Sequence, residues 1–217
     1  AAAFPAFFDR VLVDAPCSGE GMFRKEAAAA GQNSQALIEH CAALGGEILD
    51  NAAALLAPGG ILVFSTCTFA PEEDEGQVAH FLQRHPEFTL CDLSGCGFGR
   101  PGEPNRAGYD FGAEKCRRIW PADGGEGHFM AKLQKSADAE PAPSTEPARK
   151  KGRGDRRGGP AKVPAEWADF ARALFPELAD RPVQTVGDWL VLPPETSLPP
   201  HKLRTLRAGV PAGKVLK

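Results

Sequence analysis

Two short apolar segments and one long periodic segment organise the first third of the chain. Phe8–Ala15 (FDRVLVDA) and Ile61–Ser65 (ILVFS) are apolar runs that each lead into a loop, which is typical of buried parallel strands. Between them, apolar residues recur at nearly helical period from Ser34 onwards, until Pro58-Gly59-Gly60 ends the pattern. The order predicted here is strand, helix, strand.

The pattern continues with a second helix, a third strand and a hairpin. Pro71 followed by the four acids Glu72–Glu75 predicts a helix start, because proline fits the first turn and carboxylates favour the positive end of the helix dipole. Phe88–Leu93 predicts a strand, and Arg117–Trp120 and His128–Leu133 flank a glycine-rich turn. We therefore expect an α/β fold, half of a doubly wound sheet that closes with an antiparallel hairpin.

A change in composition separates two ordered parts of the chain. Residues 136–164 contain the basic, glycine-rich run Arg149–Gly159 and offer almost nothing apolar to bury, so we expect a flexible linker. Its basic residues either hold phosphates through charge alone or keep the tether soluble. The net charge is −7 for residues 1–135, +3 for the linker and +1 for residues 165–217. The positive charge is therefore local.

Residues 165–217 predict a small α+β appendage. Pro164–Leu178 indicates a short amphipathic helix, and Val186–Leu192 a strand. Aromatic residues at helical spacing belong to a core more often than to a surface that stacks bases. We expect the apolar side of this helix to carry Trp167, Phe170, Leu174 and Phe175.

Composition limits the class of protein. The chain has 217 residues, 42% of them hydrophobic, with a mean hydropathy of −0.27, which is ordinary for a globular protein with a real core. It contains no apolar run of about 18 to 20 residues and no basic-then-apolar leader. Six cysteines without a repeating spacing indicate reduced thiols in a cytoplasmic protein. We expect neither a membrane span nor a metal site, and structural roles for Cys41, Cys91, Cys96 and Cys116.

The other two cysteines follow the first two predicted strands, where ligands bind in open α/β sheets. The first loop reads Asp14-Ala15-Pro16-Cys17, and the second reads Ser65-Thr66-Cys67-Thr68. A carboxylate before a rigid proline can accept a hydrogen bond from the amino edge of a planar base. A thiol on the neighbouring strand end can attack that base, so the two loops predict a nucleophilic site.

The residues around these loops carry a family resemblance. DAPCSGEGMFRKE (Asp14–Glu26) and VFSTCTFAPEEDE (Val63–Glu75) resemble motifs IV and VI of the RNA cytosine-5 methyltransferases of the Sun/nucleolar-protein family. Cys116–Leu133 resembles that family's closing hairpin. This hairpin indicates the branch of the bacterial small-subunit ribosomal RNA methyltransferase F. A fainter match, Leu203–Gly209, resembles the start of that branch's C-terminal RNA-binding region.

The resemblance implies a fold and a mechanism. Residues 1–135 would be the C-terminal half of a Rossmann-like class I methyltransferase domain, and residues 165–217 the start of an RNA-binding domain. Cys67 matches the nucleophile that adds to carbon 6 of cytosine, and Cys17 matches the cysteine that assists proton loss and release. Asp14 matches the aspartate near the cofactor, S-adenosyl-L-methionine, and the target base. The implied partner is ribosomal RNA, of 16S type, or the small ribosomal subunit, and we expect a monomer.

The chain also departs from the family pattern. The family's glycine-rich cofactor loop precedes motif IV, whereas only seven residues precede the strand at Phe8, so we expect a piece that binds the cofactor weakly or not at all by itself. Asp74 stands where the family often has asparagine, and Ala122-Asp123 where it has a basic or histidine-containing turn. We expect both changes to add negative charge near the RNA-binding face, where Arg24 and Lys25 either meet phosphates or are simply solvated.

Two other functions remain open from the residues. An Asp-X-Pro-X loop on this fold also serves amino-group methylation, which needs no covalent thiol, although the Thr66-Cys67-Thr68 loop argues against it. Alternatively, the chain is a non-catalytic RNA-binding or ribosome-assembly factor on the same fold, an interpretation that the acidic balance of residues 1–135 supports slightly.

Overall fold

The structure is a computed structural model, and it describes residues 2–108, 111–140, 165–194, 201, 203 and 209–214. The chain divides into two compact units, Ala1–Glu146 and Pro147–Lys217. The basic run Arg149–Gly159 of the predicted linker, and residues 204–208 of the fainter C-terminal match, lie outside the described residues.

The first unit is built on a mixed, six-stranded sheet. Its strands are β1 (Phe8–Asp14), β2 (Leu56–Thr66), β3 (Phe88–Leu90), β4 (Arg100–Pro101), β5 (Arg117–Ile119) and β6 (His128–Lys135). The spatial order is β1-β2-β6-β5-β4, with β3 paired to β6. Only β1 and β2 are parallel, and the other described pairs are antiparallel. The predicted α/β architecture and the hairpin of β5 with β6 are confirmed.

Among the described residues of this unit, four α-helices accompany the sheet: α1 (Ala27–Gln32), α2 (Gln35–Leu55), α3 (Glu75–Arg84) and α4 (Pro104–Ala107). The long α2 begins after Ser34, whose Oγ accepts a hydrogen bond from the backbone N–H of Leu37 at 3.2 Å and so caps the first turn. It ends at Leu55, three residues before Pro58.

The core lies where α2 and α3 pack on the sheet. Every second residue of β2 from Gly60 to Thr66 is buried, and Leu62 and Phe64 are fully enclosed. Leu49 of α2, Phe81 of α3 and Phe129 and Leu133 of β6 belong to the same cluster. This packing fixes the carboxyl ends of β1 and β2 beside each other.

The segment Pro58-Gly59-Gly60 does end a helical pattern, but it lies within β2 rather than in a loop before it. The pairing of β1 with β2 shifts there, because Phe8 pairs with Leu56 and Arg10 already pairs with Ile61. Gly59 has φ +77°, in the left-handed region that favours glycine. The two glycines therefore form an irregularity inside a longer strand.

The prediction that a helix starts at Pro71 was wrong, because α3 starts at Glu75. Residues 71–74 form turns, in which the backbone N–H groups of Glu73 and Asp74 bond the carbonyls of Ala70 and Pro71. The side chains of Glu73 and Asp74 are buried and bonded to other segments. Tertiary contacts thus decide where this helix begins.

The second unit contains one α-helix and a three-stranded antiparallel sheet among its described residues. They are α5 (Ala165–Leu174), β7 (Gln184–Val186), β8 (Trp189–Leu192) and β9 (Val210–Lys214), in the order β7-β8-β9. The single strand predicted over Val186–Leu192 was wrong, because Gly187, at φ +62°, and Asp188 turn the chain into a hairpin.

The apolar side predicted for the helix after Pro164 is only partly confirmed. Trp167 is buried and packs with Ala171, Val183 and Leu190. The other three aromatic or large apolar residues are exposed by 46 to 60%, namely Phe170, Leu174 and Phe175. Among the described residues, no helix is both long and apolar enough to cross a membrane.

Candidate active site

The parallel pairing of β1 with β2 brings the two cysteine loops together. Asp14, the last residue of β1, pairs with Ser65 near the end of β2, and its Oδ1 accepts a hydrogen bond from Ser65 Oγ at 3.1 Å. The backbone N–H of Ala15 bonds the carbonyl of Ser65 at 2.9 Å. Asp14 itself is exposed. The loops after these strands therefore leave the sheet side by side.

Cys17 and Cys67 meet at this edge of the sheet, with their Sγ atoms 3.3 Å apart. Both cysteines are half-buried and free. The backbone N–H of Cys67 also points at Cys17 Sγ, at 3.4 Å. Either thiol can donate to the other sulfur, and when Cys67 is ionised the Cys17 thiol donates its proton to Cys67 Sγ.

This contact gives the two thiols different acidities. The hydrogen bond from Cys17 lowers the pKa of Cys67 to about 7, against burial and the negative charges of Asp14 and Glu73, which raise it. The same hydrogen bond, together with burial, raises the pKa of Cys17 far above the ordinary thiol range. At neutral pH, Cys67 is the sulfur that ionises and Cys17 is the sulfur that keeps its proton.

A buried carboxylate lies next to both cysteine loops. Glu73 Oε1 accepts from the backbone N–H of Ser18 at 2.8 Å, and Glu73 Oε2 accepts from Ser18 Oγ at 2.5 Å and from Thr68 Oγ1 at 3.3 Å. The two hydroxyl oxygens lie 2.7 Å from each other. We call Ser18, Thr68 and Glu73 the carboxylate clasp. Each hydroxyl residue of the clasp directly follows one of the paired cysteines.

Glu20 makes a second connection between the same loops. Its Oε2 accepts from the backbone N–H of Phe69 at 2.9 Å and from Thr68 Oγ1 at 3.2 Å. Sequence reasoning assigned no role in the site to Glu20, Ser18 or Thr68, and it placed Glu73 only at a helix start. The available signal was the position of Ser18 and Thr68 directly after the two cysteines, but only the fold brings Glu73 to them.

Close backbone approach also joins the loops to the hairpin. The N–H of Gly21 bonds the carbonyl of Cys67 at 2.8 Å. A Cβ on Gly21 would lie 2.6 Å from the carbonyl oxygen of Gly127 and 2.8 Å from that of Cys67, so only glycine fits. The ring of Phe69 stacks on Trp120 with centroids 4.9 Å apart.

A second buried network supports the strand end before Cys67. Arg118 is 1% exposed and makes a two-pronged contact with the carboxylate of Glu75, with Nε 2.8 Å from Oε1 and Nη2 2.5 Å from Oε2. Its Nη2 also lies 2.8 Å from Asp74 Oδ2. Asp74 Oδ1 accepts from Thr66 Oγ1 at 2.5 Å. This network ties the hairpin, the start of α3 and β2 together.

Asp74 was expected to add negative charge near the RNA-binding face, but its side chain does not reach the surface. Asp74 is fully buried, and burial raises its pKa well above the usual range, with further increases from Glu75 and Glu73. Asp123, the other acidic departure, is paired with Arg100, whose Nη2 lies 2.6 Å from its carboxylate. Arg24 and Lys25 are exposed, and Lys25 Nζ lies 3.8 Å from Glu126.

The remaining cysteines lie apart from this pair. Cys41 and Cys116 are buried, and burial raises the pKa of both thiols. Cys91 and Cys96 are half-buried. Within the described part of the chain, no group of three or more histidine, cysteine, aspartate or glutamate side chains has the arrangement of a metal site.

Comparisons with known proteins agree on one family. The family described as 16S rRNA methyltransferase RsmB/F matches residues 2–134. Ribosomal RNA small subunit methyltransferase F of Cronobacter sakazakii is 38% identical over 144 residues, which are 66% of this chain and 29% of that protein. Ribosomal RNA small subunit methyltransferase B of Erwinia tasmaniensis is 37% identical over 129 residues, or 59% of this chain and 26% of that protein.

A solved structure shares the architecture. A methyltransferase homolog protein from Pyrococcus horikoshii matches with a TM-score of 0.51 and 32% identity, over 59% of this chain and 39% of its own. The chain spans less than a third of the length of the two curated relatives. Each of these matches covers about three fifths to two thirds of this chain.

Proposed function

Because this chain belongs to the 16S rRNA methyltransferase RsmB/F family, we propose that it forms part of an enzyme that methylates carbon 5 of a cytidine in 16S ribosomal RNA. The chain covers 29% of the relative from Cronobacter sakazakii, so the activity proposed is that of a protein of the relatives' length, in which these residues supply the nucleophile. We call this the full-length protein. The observation that carries the proposal is the pair of sulfur atoms 3.3 Å apart at the carboxyl ends of β1 and β2.

In this proposal Cys67 is the nucleophile. Carbon 5 of cytosine is a poor nucleophile until a group adds to carbon 6. Cys67, with a pKa of about 7, supplies a thiolate at neutral pH, whereas an ordinary thiol is only a few per cent ionised. The S–C bond forms at carbon 6, the electron pair moves to carbon 5, and carbon 5 takes the methyl group.

Cys17 has the complementary role. The proton on carbon 5 must leave, and the bond from Cys67 Sγ to carbon 6 must break, before the product is free. Once Cys67 has added to the ring, its negative charge and its hydrogen bond no longer raise the pKa of Cys17. Cys17 can then lose its own proton to solvent and, as a thiolate, take up the proton of carbon 5, directly or through water. The electron pair of that C–H bond re-forms the double bond between carbons 5 and 6, and the Cys67 thiolate leaves.

Asp14 is the residue of the described chain that we propose for the cofactor and base side of the site. S-adenosyl-L-methionine supplies an electrophilic methyl group when it is bound. Asp14 fits a place beside it, because its carboxylate is exposed at the strand end where ligands of such sheets bind, with one oxygen fixed by Ser65. Its negative charge also raises the pKa of Cys67, which supports a position beside the nucleophile.

We further propose the organisation and setting of the full-length protein. Residues 1–135 form the C-terminal half of a Rossmann-like class I methyltransferase domain, residues 136–164 a linker, and residues 165–217 the start of an RNA-binding domain. The protein acts as a monomer on the RNA of the small ribosomal subunit, in the cytoplasm where that RNA is assembled.

A mechanism-based trap tests the proposal. RNA that contains 5-fluorocytidine has no proton on carbon 5 to lose, so the full-length protein should form a stable covalent adduct with it in the presence of S-adenosyl-L-methionine. We expect Cys67→Ala to abolish the adduct, and Cys96→Ala to leave it unchanged. An undiminished adduct in Cys67→Ala would show that Cys67 is not the nucleophile. Methyl transfer to the amino group of cytosine would show that the enzyme is an amino-group methyltransferase and not a carbon-5 methyltransferase.

A further inference from the structure

The carboxylate clasp is an unusual use of a buried charge. Glu73 is 2% exposed, Ser18 4% and Thr68 0%. Placing a carboxylate in such a site is costly, and burial raises the pKa of Glu73 accordingly. Three donors, the Ser18 N–H and the hydroxyls of Ser18 and Thr68, offset part of that cost.

The clasp does not help Cys67 to ionise. The negative charge of Glu73 raises the pKa of Cys67, so a neutral residue in its place would favour the thiolate. The charge of Glu73 therefore opposes the ionisation of Cys67 and cannot activate it as a nucleophile. What Glu73 does supply is geometry, because its two oxygens bond residues from both loops at once.

The bonds of the clasp act on the residues next to the sulfur pair. Ser18 is held by both its backbone N–H and its hydroxyl, which fixes the chain directly after Cys17. Thr68 is held through its hydroxyl, which fixes the chain directly after Cys67. Without Glu73, the loops would keep the contact between the Ser18 and Thr68 hydroxyls and the bonds that Glu20 accepts from Thr68 and Phe69, but Ser18 would lose the acceptor of its N–H.

We propose that Glu73 is a positioning residue, which holds the Cys17 and Cys67 loops together so that the two sulfur atoms stay in contact. This inference rests on the proposed function, since it assigns the contact a purpose in nucleophilic attack and release. It extends that function to a residue that need not touch the substrate, cofactor or reacting atoms. Misplacement of reacting groups by about 1 Å is enough to reduce a rate about 100-fold.

The test compares Glu73→Ala and Glu73→Gln with Glu72→Ala in the full-length protein. Glu72 is the neighbouring acid, but it is exposed, so Glu72→Ala is a matched control. The first measurement is the rate at which diamide joins Cys17 to Cys67, followed by peptide mass spectrometry. In this reaction two thiols become one disulfide and the diazene takes up both hydrogens as a hydrazine, so its rate reports how often the sulfurs meet.

We expect Glu73→Ala to slow this disulfide at least about tenfold and to lower kcat for methyl transfer about 100-fold with little change in KM. Glu73→Gln keeps an acceptor for the Ser18 N–H, so it should recover part of both rates, and Glu72→Ala should match the unsubstituted protein. A Glu73→Ala protein that forms the disulfide at the original rate, or that keeps its kcat, would overturn the inference.

Two further variants keep the inference testable if Glu73→Ala does not fold. Thr68→Val and Ser18→Ala each remove one hydroxyl of the clasp, and each should slow disulfide formation by a smaller factor than Glu73→Ala. If neither variant changes that rate, the clasp does not position the sulfurs. If the unsubstituted protein forms no adduct with 5-fluorocytidine RNA, the proposed function fails, while the disulfide rates still decide whether Glu73 sets the distance between the sulfurs.

Discussion

The hydrogen bond between the sulfur atoms of Cys17 and Cys67 makes Cys67 the more acidic of the two thiols. The two Sγ atoms lie 3.3 Å apart, and this bond is the largest cause of the lowered pKa of Cys67, which is about 7. Burial and the charges of Asp14 and Glu73 act in the opposite direction. The acidity of the nucleophile is therefore a property of the pair rather than of the loop around Cys67.

The first prediction concerns the pH at which Cys67 reacts. Alkylation of Cys67 by iodoacetamide, measured peptide by peptide, should rise with pH and reach half its maximum near pH 7. In Cys17→Ala the midpoint should move upwards to about 8.5 or higher, so that alkylation at pH 7 becomes about tenfold slower or more. Cys96→Ala is the control, because its thiol bonds the carbonyl of Phe98 instead. An unchanged midpoint in Cys17→Ala would contradict the hydrogen bond's role.

The second prediction concerns the stability that Arg118 provides. Arg118→Ala leaves Glu75 buried without its partner, and Asp74 without the cation beside it. We expect the free energy of unfolding to fall by about 3 to 5 kcal/mol in denaturant titrations. Arg100→Ala breaks the exposed pair with Asp123 and should lower the free energy of unfolding far less, because solvent screens an exposed pair. Equal losses of the free energy of unfolding in the two variants would show that the buried network stabilises the fold no more than the exposed pair does.

These relationships indicate what the sequence could and could not predict. The strand–helix–strand order, the closing hairpin and the places of Cys17 and Cys67 follow from local patterns, namely apolar period and residues that follow strands. Parallel strands then require the two loops to meet. A local sequence pattern is therefore sufficient to predict a structural feature whose physical cause lies in neighbouring residues.

The roles of the acids after Pro71 could not be predicted from local sequence. The sequence pattern predicted that Glu73 and Asp74 lie in the first turn of a helix, where they would interact favourably with the positive end of the helix dipole. It also predicted that Asp74 adds negative charge near a surface. In the structure both are buried, Glu73 against Ser18 and Asp74 against Thr66 and Arg118. Their partners lie 55, 8 and 44 positions away along the chain, so only tertiary structure identifies them.

The third prediction concerns Asp74 and pH. Its pKa in the folded state is raised above the unfolded value, chiefly by burial, so the folded state holds its proton more tightly. Stability should therefore fall as pH rises from about 4 through the folded pKa, since the unfolded state ionises first. Asp74→Asn removes this group, and its amide can face Thr66 while its oxygen faces Arg118. Melting temperatures between pH 5 and 8 should be at least as high in Asp74→Asn, with a flatter slope. A lower, equally steep curve would contradict a raised pKa of Asp74 in the folded state.

The fourth prediction concerns the backbone contact that joins the first cysteine loop to the hairpin. Gly21→Ala would place a Cβ 2.6 Å from the Gly127 carbonyl oxygen and 2.8 Å from that of Cys67, so the loops must separate. We expect a loss of about 1 to 3 kcal/mol in the free energy of unfolding, together with slower formation of the Cys17–Cys67 disulfide. Gly31→Ala is the matched control, because it lies in α1 with nothing within 4 Å of the new Cβ. That variant should gain up to about 1 kcal/mol from better helix propensity. If both variants keep the original disulfide rate, the Gly21 contact does not determine where the first cysteine loop lies.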